Sequence, residues 1–202
     1  MKLYFSPGAC SLSPHIALRE AGLSFAMVKV DLGTKQTADG ADFKTINPKG
    51  YVPVLHLDDG SVLTEGPAIV QYIADQAPAS KLAPAAGTLA RYHLMEWLNY
   101  ITSEIHKSFS PLFNPQASDE LKALVRDALA QRFDYLSTQL QGKPYLMGET
   151  FTVADGYLFT VLGWTRPTQI DLSKWPVLSA YTQQIAARPA VRAAMRAEGL
   201  VK

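Results

Sequence analysis

The chain has 202 residues, 48% of them apolar and 18% charged, and nineteen basic against eighteen acidic side chains leave a formal charge of +1. This is the composition of an ordinary soluble globular protein, and the length suits one large domain or two small ones. No basic stripe is present to follow nucleic-acid phosphates, and no run of about eighteen apolar residues is present to span a membrane. Lys2 is followed by Pro7 and Gly8 before any apolar stretch develops, so the start does not read as a secretory signal. Cys10 is the single cysteine, which rules out an internal disulfide and fits a reducing compartment. The expected location is the cytoplasm. His15, His56, His93 and His106 are scattered, with no Cys-x-x-Cys and no His pair at helical spacing, so no metal site is expected.

In chain order, Lys2–Phe5 predicts a short strand, Ser11–Gly22 a helix stopped by glycine, and Phe25–Val30 a second strand. Together these form a βαβ unit. Asp31–Lys49 is polar and reads as surface with a short helical stretch over Asp42–Thr45. Val52–Leu57 and Ser61–Thr64 flank Asp58, Asp59 and Gly60, a hairpin signal, and Pro67–Gln76 predicts a helix opened by proline. Ala77–Gly87 has linker composition. Beyond it only helical patterns occur: 88–113, 118–140, 153–164, 176–187 and 190–197. The expected domains are therefore 1–80 and 87–202, an α/β half and an all-helical half. Thr152, Val153, Ala154 and Asp155 form a capping box that marks a helix start.

Cys10 follows the first strand at the start of the first helix, where unpaired amides and the helix dipole favour a thiolate; a small buried thiol is the equal alternative. Pro53 opens a strand and is a natural place for a cis bond that turns the Val52 backbone outward toward a peptide-like ligand, or a plain edge-strand proline. Glu65 and Gly66 stand at a strand-to-helix junction, where helix-start amides suit a carboxylate and Glu65 suits an ammonium group, unless Glu65 only compensates the dipole. Leu94, Trp97, Leu98, Ile101 and Ile105 form a core stripe. Asn99, Ser103 and His106 recur on another face, flanked by Glu104 and Lys107; such a polar stripe commonly just faces solvent.

These stretches resemble the bacterial beta class of glutathione transferases, in the order PGACS (Pro7–Ser11), NPKGYVP (Asn47–Pro53), LTEG (Leu63–Gly66), EWLNYI (Glu96–Ile101) and FTVADGYLF (Phe151–Phe159). The resemblance runs nearly end to end. It implies a thioredoxin-like N-terminal domain that binds glutathione and an all-helical domain that contributes the electrophile site. It further implies that Cys10 faces the glutathione sulfur and that Lys35 lies near the glycyl carboxylate. Val52, before a cis Pro53, would pair with the cysteinyl backbone, and Glu65 and Gly66 would hold the γ-glutamyl end. Many relatives carry Ser where this chain has Gly66, so only the backbone amide is available there. Asn99 and Glu104 would reach the ligand from a neighbouring subunit of a homodimer, and His106, with Ser103 and Lys107, would line the electrophile cleft; Ser103 and His106 also count among the glutathione-binding residues, with His106, the Cys10 S–H and helix-start amides hydrogen-bonding the thiolate. Ser11 is a possible thiolate donor, and Thr152 and Asp155 are structural. The implied function is conjugation of glutathione to hydrophobic electrophiles, a detoxification chemistry, with glutathione as co-substrate and no cofactor. Glutaredoxin-like exchange through Cys10 and a non-catalytic carrier of hydrophobic ligands are the alternatives.

Overall fold

In the computed structural model, which describes residues 1–202, strand β1 (Lys2–Phe5) buries Leu3, Tyr4 and Phe5 in succession, as a central strand covered on both faces must. Helix α1 (Leu12–Glu20) carries the chain back to β2 (Ala26–Asp31), parallel to β1. Strand β4 (Val54–His56) pairs antiparallel with β1, and β5 (Val62–Thr64) with β4. The order is β3-β2-β1-β4-β5, with β3 (Gln36–Thr37) antiparallel at the edge of β2, and α2 (Gly66–Gln76) follows the last strand. The expected βαβ opening and hairpin are both present.

The polar segment 31–49 is more than surface. Asp42 accepts the Lys44 N–H (2.9 Å) and caps a 3₁₀ turn over Phe43–Thr45, which sends Phe43 into a core of Tyr4, Val30, Val52 and Val54. One aromatic side chain among polar neighbours leaves no periodicity to detect.

Contacts divide the chain into two units, Met1–Ala83 together with Ala187–Lys202, and Pro84–Ala186. The helical half therefore does not extend over 87–202 as a unit. Helix α8 (Pro189–Ala197) buries Val191 and Ala194 and packs on α1. Just before it, the Arg188 guanidinium grips Glu20 through Nε (2.7 Å) and Nη2 (2.8 Å). Apolar spacing shows which face of a helix is buried, not against which partner, and these partners lie 168 residues apart.

In the second unit, Thr88 caps α3 (Leu89–Tyr100), which runs into a π-helical turn over Ile101–His106, a 3₁₀ turn over Lys107–Phe109 and a last short helix α4 (Ser110–Phe113). A single regular helix was expected over 88–113. The hydroxyls of Thr102, Ser103 and Ser108 donate to the carbonyls of Leu98 (2.7 Å), Asn99 (3.1 Å) and Glu104 (2.8 Å), and this bonding to the preceding turn perturbs the ladder. Pro111 has no N–H to restore it. Leu94, Leu98, Ile101 and Ile105 are buried as predicted, whereas Trp97 is half-buried beside Tyr100 and Tyr135.

Helix α5 (Asp119–Leu140) is capped by Ser118, and α7 (Pro176–Ala186) completes the unit. Helix α6 (Val153–Leu162) is buried on every side, so its start cannot be satisfied by water. Asp155 does this work: its carboxylate accepts the amides of Thr152 (2.8 Å) and Leu146 (2.8 Å), the Thr152 hydroxyl (3.0 Å) and the Tyr181 hydroxyl (2.9 Å). Burial still pushes this carboxyl above its usual range, against the pull of the four donors, and burial with Asp155 nearby pushes the Tyr181 phenol well up. Asp155→Ala strands several buried donors at once. Denaturant unfolding is expected to show a loss of at least about 3 kcal/mol; a loss below about 1 kcal/mol would mean that the network does not hold the helix.

Candidate functional site

The register of the sheet gathers most of the predicted residues. Tyr4 pairs with Val54, and Val54 with Thr64, so the loops after β1, before β4 and after β5 leave the sheet at the same end. Because β2 runs parallel to β1, the turn after Asp31 leaves there too. Cys10, Lys35, Val52, Glu65 and Gly66 lie on those four connections.

The loop from Ser6 to Ser11 is closed by its own polar groups. The Ser11 hydroxyl accepts the Ser6 N–H (3.1 Å) and donates to the Ser6 carbonyl (3.2 Å), and Ser11 is fully buried. In this arrangement the Ser11 proton points to the Ser6 carbonyl, so Ser11 closes the loop that carries Cys10. Cys10 is half-exposed, and its S–H donates to the Val52 carbonyl at 3.3 Å across the opening of the sheet end. The Val52–Pro53 bond is cis.

A buried carboxylate fixes the same loop from behind. Glu198, at the end of α8, accepts the Gly8 N–H through Oε2 (2.9 Å) and meets His15 Nδ1 through Oε1 (2.8 Å), while Arg19 Nε donates to His15 Nε2 (2.8 Å). The Arg19 bond makes Nε2 an acceptor, which puts the imidazole proton on Nδ1, facing the carboxylate. Gly8 has φ of +72°, a left-handed backbone for which glycine is suited. Sequence reading passed over His15 as one scattered histidine; the only local hint was Arg19 four residues on, one helical turn away.

Lys35 is placed by a tight turn. The amides of Gly33 (2.8 Å) and Thr34 (2.9 Å) donate to Asp31 Oδ1, and these bonds, Thr34's first, hold that carboxyl below its usual range. Lys35 itself is left-handed (φ +59°), and its ammonium donates to the Gly50 carbonyl (3.1 Å) beside the Tyr51 ring. Glu65 is left-handed too (φ +69°) and stands as N-cap of α2, with its carboxylate paired to Lys49 at 2.5 Å. Lys49 also donates to Thr64 (3.0 Å), a role not foreseen although the residue lies within the NPKGYVP stretch. A Cβ at Gly66 would meet no atom within 4 Å, so this position has room for a side chain.

The remaining predicted residues belong to the second unit and do not share one face. Asn99 and Ser103 are exposed, whereas His106 is half-buried, because the π turn rotates it away from the regular spacing. Glu104 pairs with Arg132 Nη2 (3.0 Å). His106 Nδ1 lies 2.6 Å from the Tyr157 hydroxyl, and its ring meets Trp164 edge-on at 4.8 Å. Phe109 and Phe113 pack edge-on against the same indole at 5.7 and 5.8 Å, which makes an aromatic wall. Tyr157, Trp164 and Phe113 were not singled out: Tyr157 and Trp164 stand seven residues apart, on one face of the expected helix 153–164, but Phe113 comes from a stretch that no spacing relates to them. No three of the His, Cys, Asp and Glu side chains gather so as to hold a metal ion, and no helix is long and apolar enough to cross a membrane.

The Glu198 network yields a direct test. Glu198→Ala removes the acceptor of the part-buried Gly8 amide and of the buried His15, so an unfolding free energy lower by about 3 kcal/mol and faster alkylation of Cys10 are expected. Unchanged stability and alkylation would show that the carboxylate does not hold the loop.

Residues 8–76 match the glutathione S-transferase N-terminal domain and residues 100–189 the C-terminal domain. The chain is 46% identical over 200 residues to glutathione S-transferase GstA of Escherichia coli O157:H7, covering 99% of this chain and all of that one. Among solved structures, the bacterial transferase BphK in a ternary complex is 62% identical with a TM-score of 0.98, over 99% of this chain and 100% of that one. A sphingomonad glutathione S-transferase complexed with glutathione is 53% identical with a TM-score of 0.96, over the whole of both chains. A bacterial beta-class enzyme of Sphingomonas chungbukensis matches equally well, at 53% identity and a TM-score of 0.97. With matching domains over both halves and full-length relatives of this similarity, the chain belongs to the glutathione S-transferase family.

Proposed function

We propose that this glutathione S-transferase binds glutathione at the sheet end that carries Cys10 and conjugates its thiolate to hydrophobic electrophiles held against the aromatic wall of the second unit. The observation that carries the reading is the convergence of Cys10, the Val52 backbone before cis Pro53, and the Glu65–Gly66 helix start on one end of the sheet. A tripeptide needs a backbone edge, an anion site and an ammonium site, and these residues supply all three. Val52 pairs with the cysteinyl backbone and Lys35 meets the glycyl carboxylate. The Gly66 amide receives the γ-glutamyl carboxylate at the helix start, and Glu65 takes the γ-glutamyl ammonium in place of Lys49.

Cys10 then exchanges its bond to Val52 for one to the glutathione sulfur and so stabilises the thiolate. The thiolate attacks an electrophilic carbon and its electron pair forms the C–S bond as the leaving group departs with the displaced pair. His106 lies beside the aromatic wall and hydrogen-bonds the electrophile as charge develops. Glutathione is a co-substrate, and no resident cofactor is needed.

The working form is a homodimer in which Asn99 and Glu104 of the partner subunit reach the bound glutathione. Support comes from Leu89, Tyr92 and Met95, exposed at steps of three on α3, and from exposed Tyr51. Such a row of apolar side chains suits an isologous contact. The role is detoxification in the cytoplasm, consistent with a single cysteine in the sequence.

The test is the rate of glutathione conjugation to a chlorodinitrobenzene-type electrophile. A thiol is a weak hydrogen-bond donor, so Cys10→Ala is expected to lower turnover by no more than about tenfold. Abolished turnover, with a glutathione adduct on wild-type Cys10, would overturn this reading in favour of thiol exchange. Gly66→Ser should fold normally and lower the KM for glutathione, since its hydroxyl adds a donor where space is open; an unchanged KM would show that the γ-glutamyl carboxylate does not lie there.

A further inference from the structure

Lys49 combines a fixed backbone with a side chain that is free to swing. Its N–H donates to Asn47 Oδ1 (3.2 Å) and the next N–H, of Gly50, to the Asn47 carbonyl (2.8 Å). Asn47 is itself buried and donates through Nδ2 to the Tyr51 carbonyl (2.7 Å), which locks the turn. From this turn the ammonium reaches the end of β5 and the cap of α2, where it donates to Thr64 Oγ1 at 3.0 Å and pairs with Glu65 Oε1 at 2.5 Å. The side chains are 46% exposed for Lys49 and 70% for Glu65, so water screens the pair and it opens at little cost.

The α2 start offers an anion few donors. Pro67 has no N–H, and the Ala68 and Ile69 amides both turn to the Glu65 carbonyl, at 3.1 and 3.0 Å. Gly66 is left as the one amide of the first turn, and it has no side chain that could add a second donor. A carboxylate has two oxygens and about four acceptor positions, so one amide does not satisfy it.

The ammonium and the carboxylate of a γ-glutamyl group are attached to the same carbon. When that ammonium takes Glu65, its carboxylate arrives beside the Lys49 ammonium, which has given up its own partner. Two cations around one Glu65 would repel each other. Pairing Lys49 with the incoming carboxylate removes that repulsion and turns one exposed ion pair into two. The Thr64 hydroxyl holds the lysine tip at the helix start through the exchange.

We propose that Lys49 is a binding residue for the amino-acid end of glutathione: its ammonium leaves Glu65 for the γ-glutamyl carboxylate, which it shares with the Gly66 amide. The Lys49–Glu65 pair is thereby a receptor for a zwitterion, and full affinity needs both charges of the amino acid. The proposal rests on the placement of the γ-glutamyl end at Glu65 and Gly66, and adds the second partner of its carboxylate.

The test is isothermal titration calorimetry on the intact chain with glutathione and two analogues: 4-aminobutyryl-Cys-Gly, which lacks the γ-glutamyl carboxylate, and glutaryl-Cys-Gly, which lacks the ammonium. Lys49→Met is expected to weaken glutathione about fivefold, the scale of one ion pair at a half-exposed position, and to bind the aminobutyryl peptide no more weakly than wild type does. Lys49→Arg should retain most of the affinity for glutathione. Unchanged or tighter binding of glutathione by Lys49→Met would overturn the proposal and leave the lysine as a bystander or a competitor for Glu65. Equal weakening of glutathione and the aminobutyryl peptide would overturn it too, because the lysine would then act on something other than the carboxylate. Glu65→Gln separates this proposal from the reading beneath it: it should weaken glutathione and remove the preference for glutathione over the glutaryl peptide. If it does neither, the γ-glutamyl end does not lie here and both fall; if it does both while Lys49→Met changes nothing, the role of the lysine fails by itself.

Discussion

A carboxylate with no exposed surface must be paired, and the first unit is organised around one. Glu198 is contributed by the far end of the chain, yet it accepts the Gly8 amide at the start of the loop that presents Cys10. Its charge is balanced through His15 by Arg19, so a helix side chain, a loop amide and the C-terminal helix are joined in one hydrogen-bonded line. The desolvation of such a group is costly unless every partner is present. That cost makes the loop position nearly obligatory: Ser11 closes the loop from inside, Glu198 holds it from behind, and the thiol is left facing the Val52 carbonyl.

The helical unit repeats the principle with a different carboxylate. Asp155 satisfies the start of a helix that is buried all round, and two residues later the same helix presents Tyr157 to His106. The rigid element and the reactive group are thus linked through a short stretch of chain, which fits the need for a site held by well-packed elements. The π turn that carries His106 departs from regular helix geometry at the point where the chemistry is assigned, a common association for such turns.

Much of this was legible in the sequence because it is local. The strand, loop and helix around Cys10, the proline at Val52–Pro53, the Glu65–Gly66 junction and the Thr152–Asp155 box each reveal themselves within a few residues. What was not legible is long-range or irregular. Glu198 meets His15 across 183 residues, Phe43 enters the core from a polar segment, and Ser11 turns its hydroxyl inward. The face shared by Asn99, Ser103 and His106 was drawn with a regular helical repeat, and three hydroxyls bonding back to carbonyls changed the pitch beneath it. Tyr157 was visible in the FTVADGYLF stretch only as part of a helix; its contact with His106 appears once the π turn is seen beside it.

The central claim is that glutathione is held as a thiolate facing Cys10, and the direct measurement is a spectrophotometric titration of bound glutathione by thiolate absorbance, with Cys10→Ala as the comparison. The account predicts a bound thiol that ionises well below the value of about 8.5 for an ordinary cysteine thiol, moving partway back toward it in Cys10→Ala. A bound thiol that titrates at the ordinary value in both proteins would contradict it.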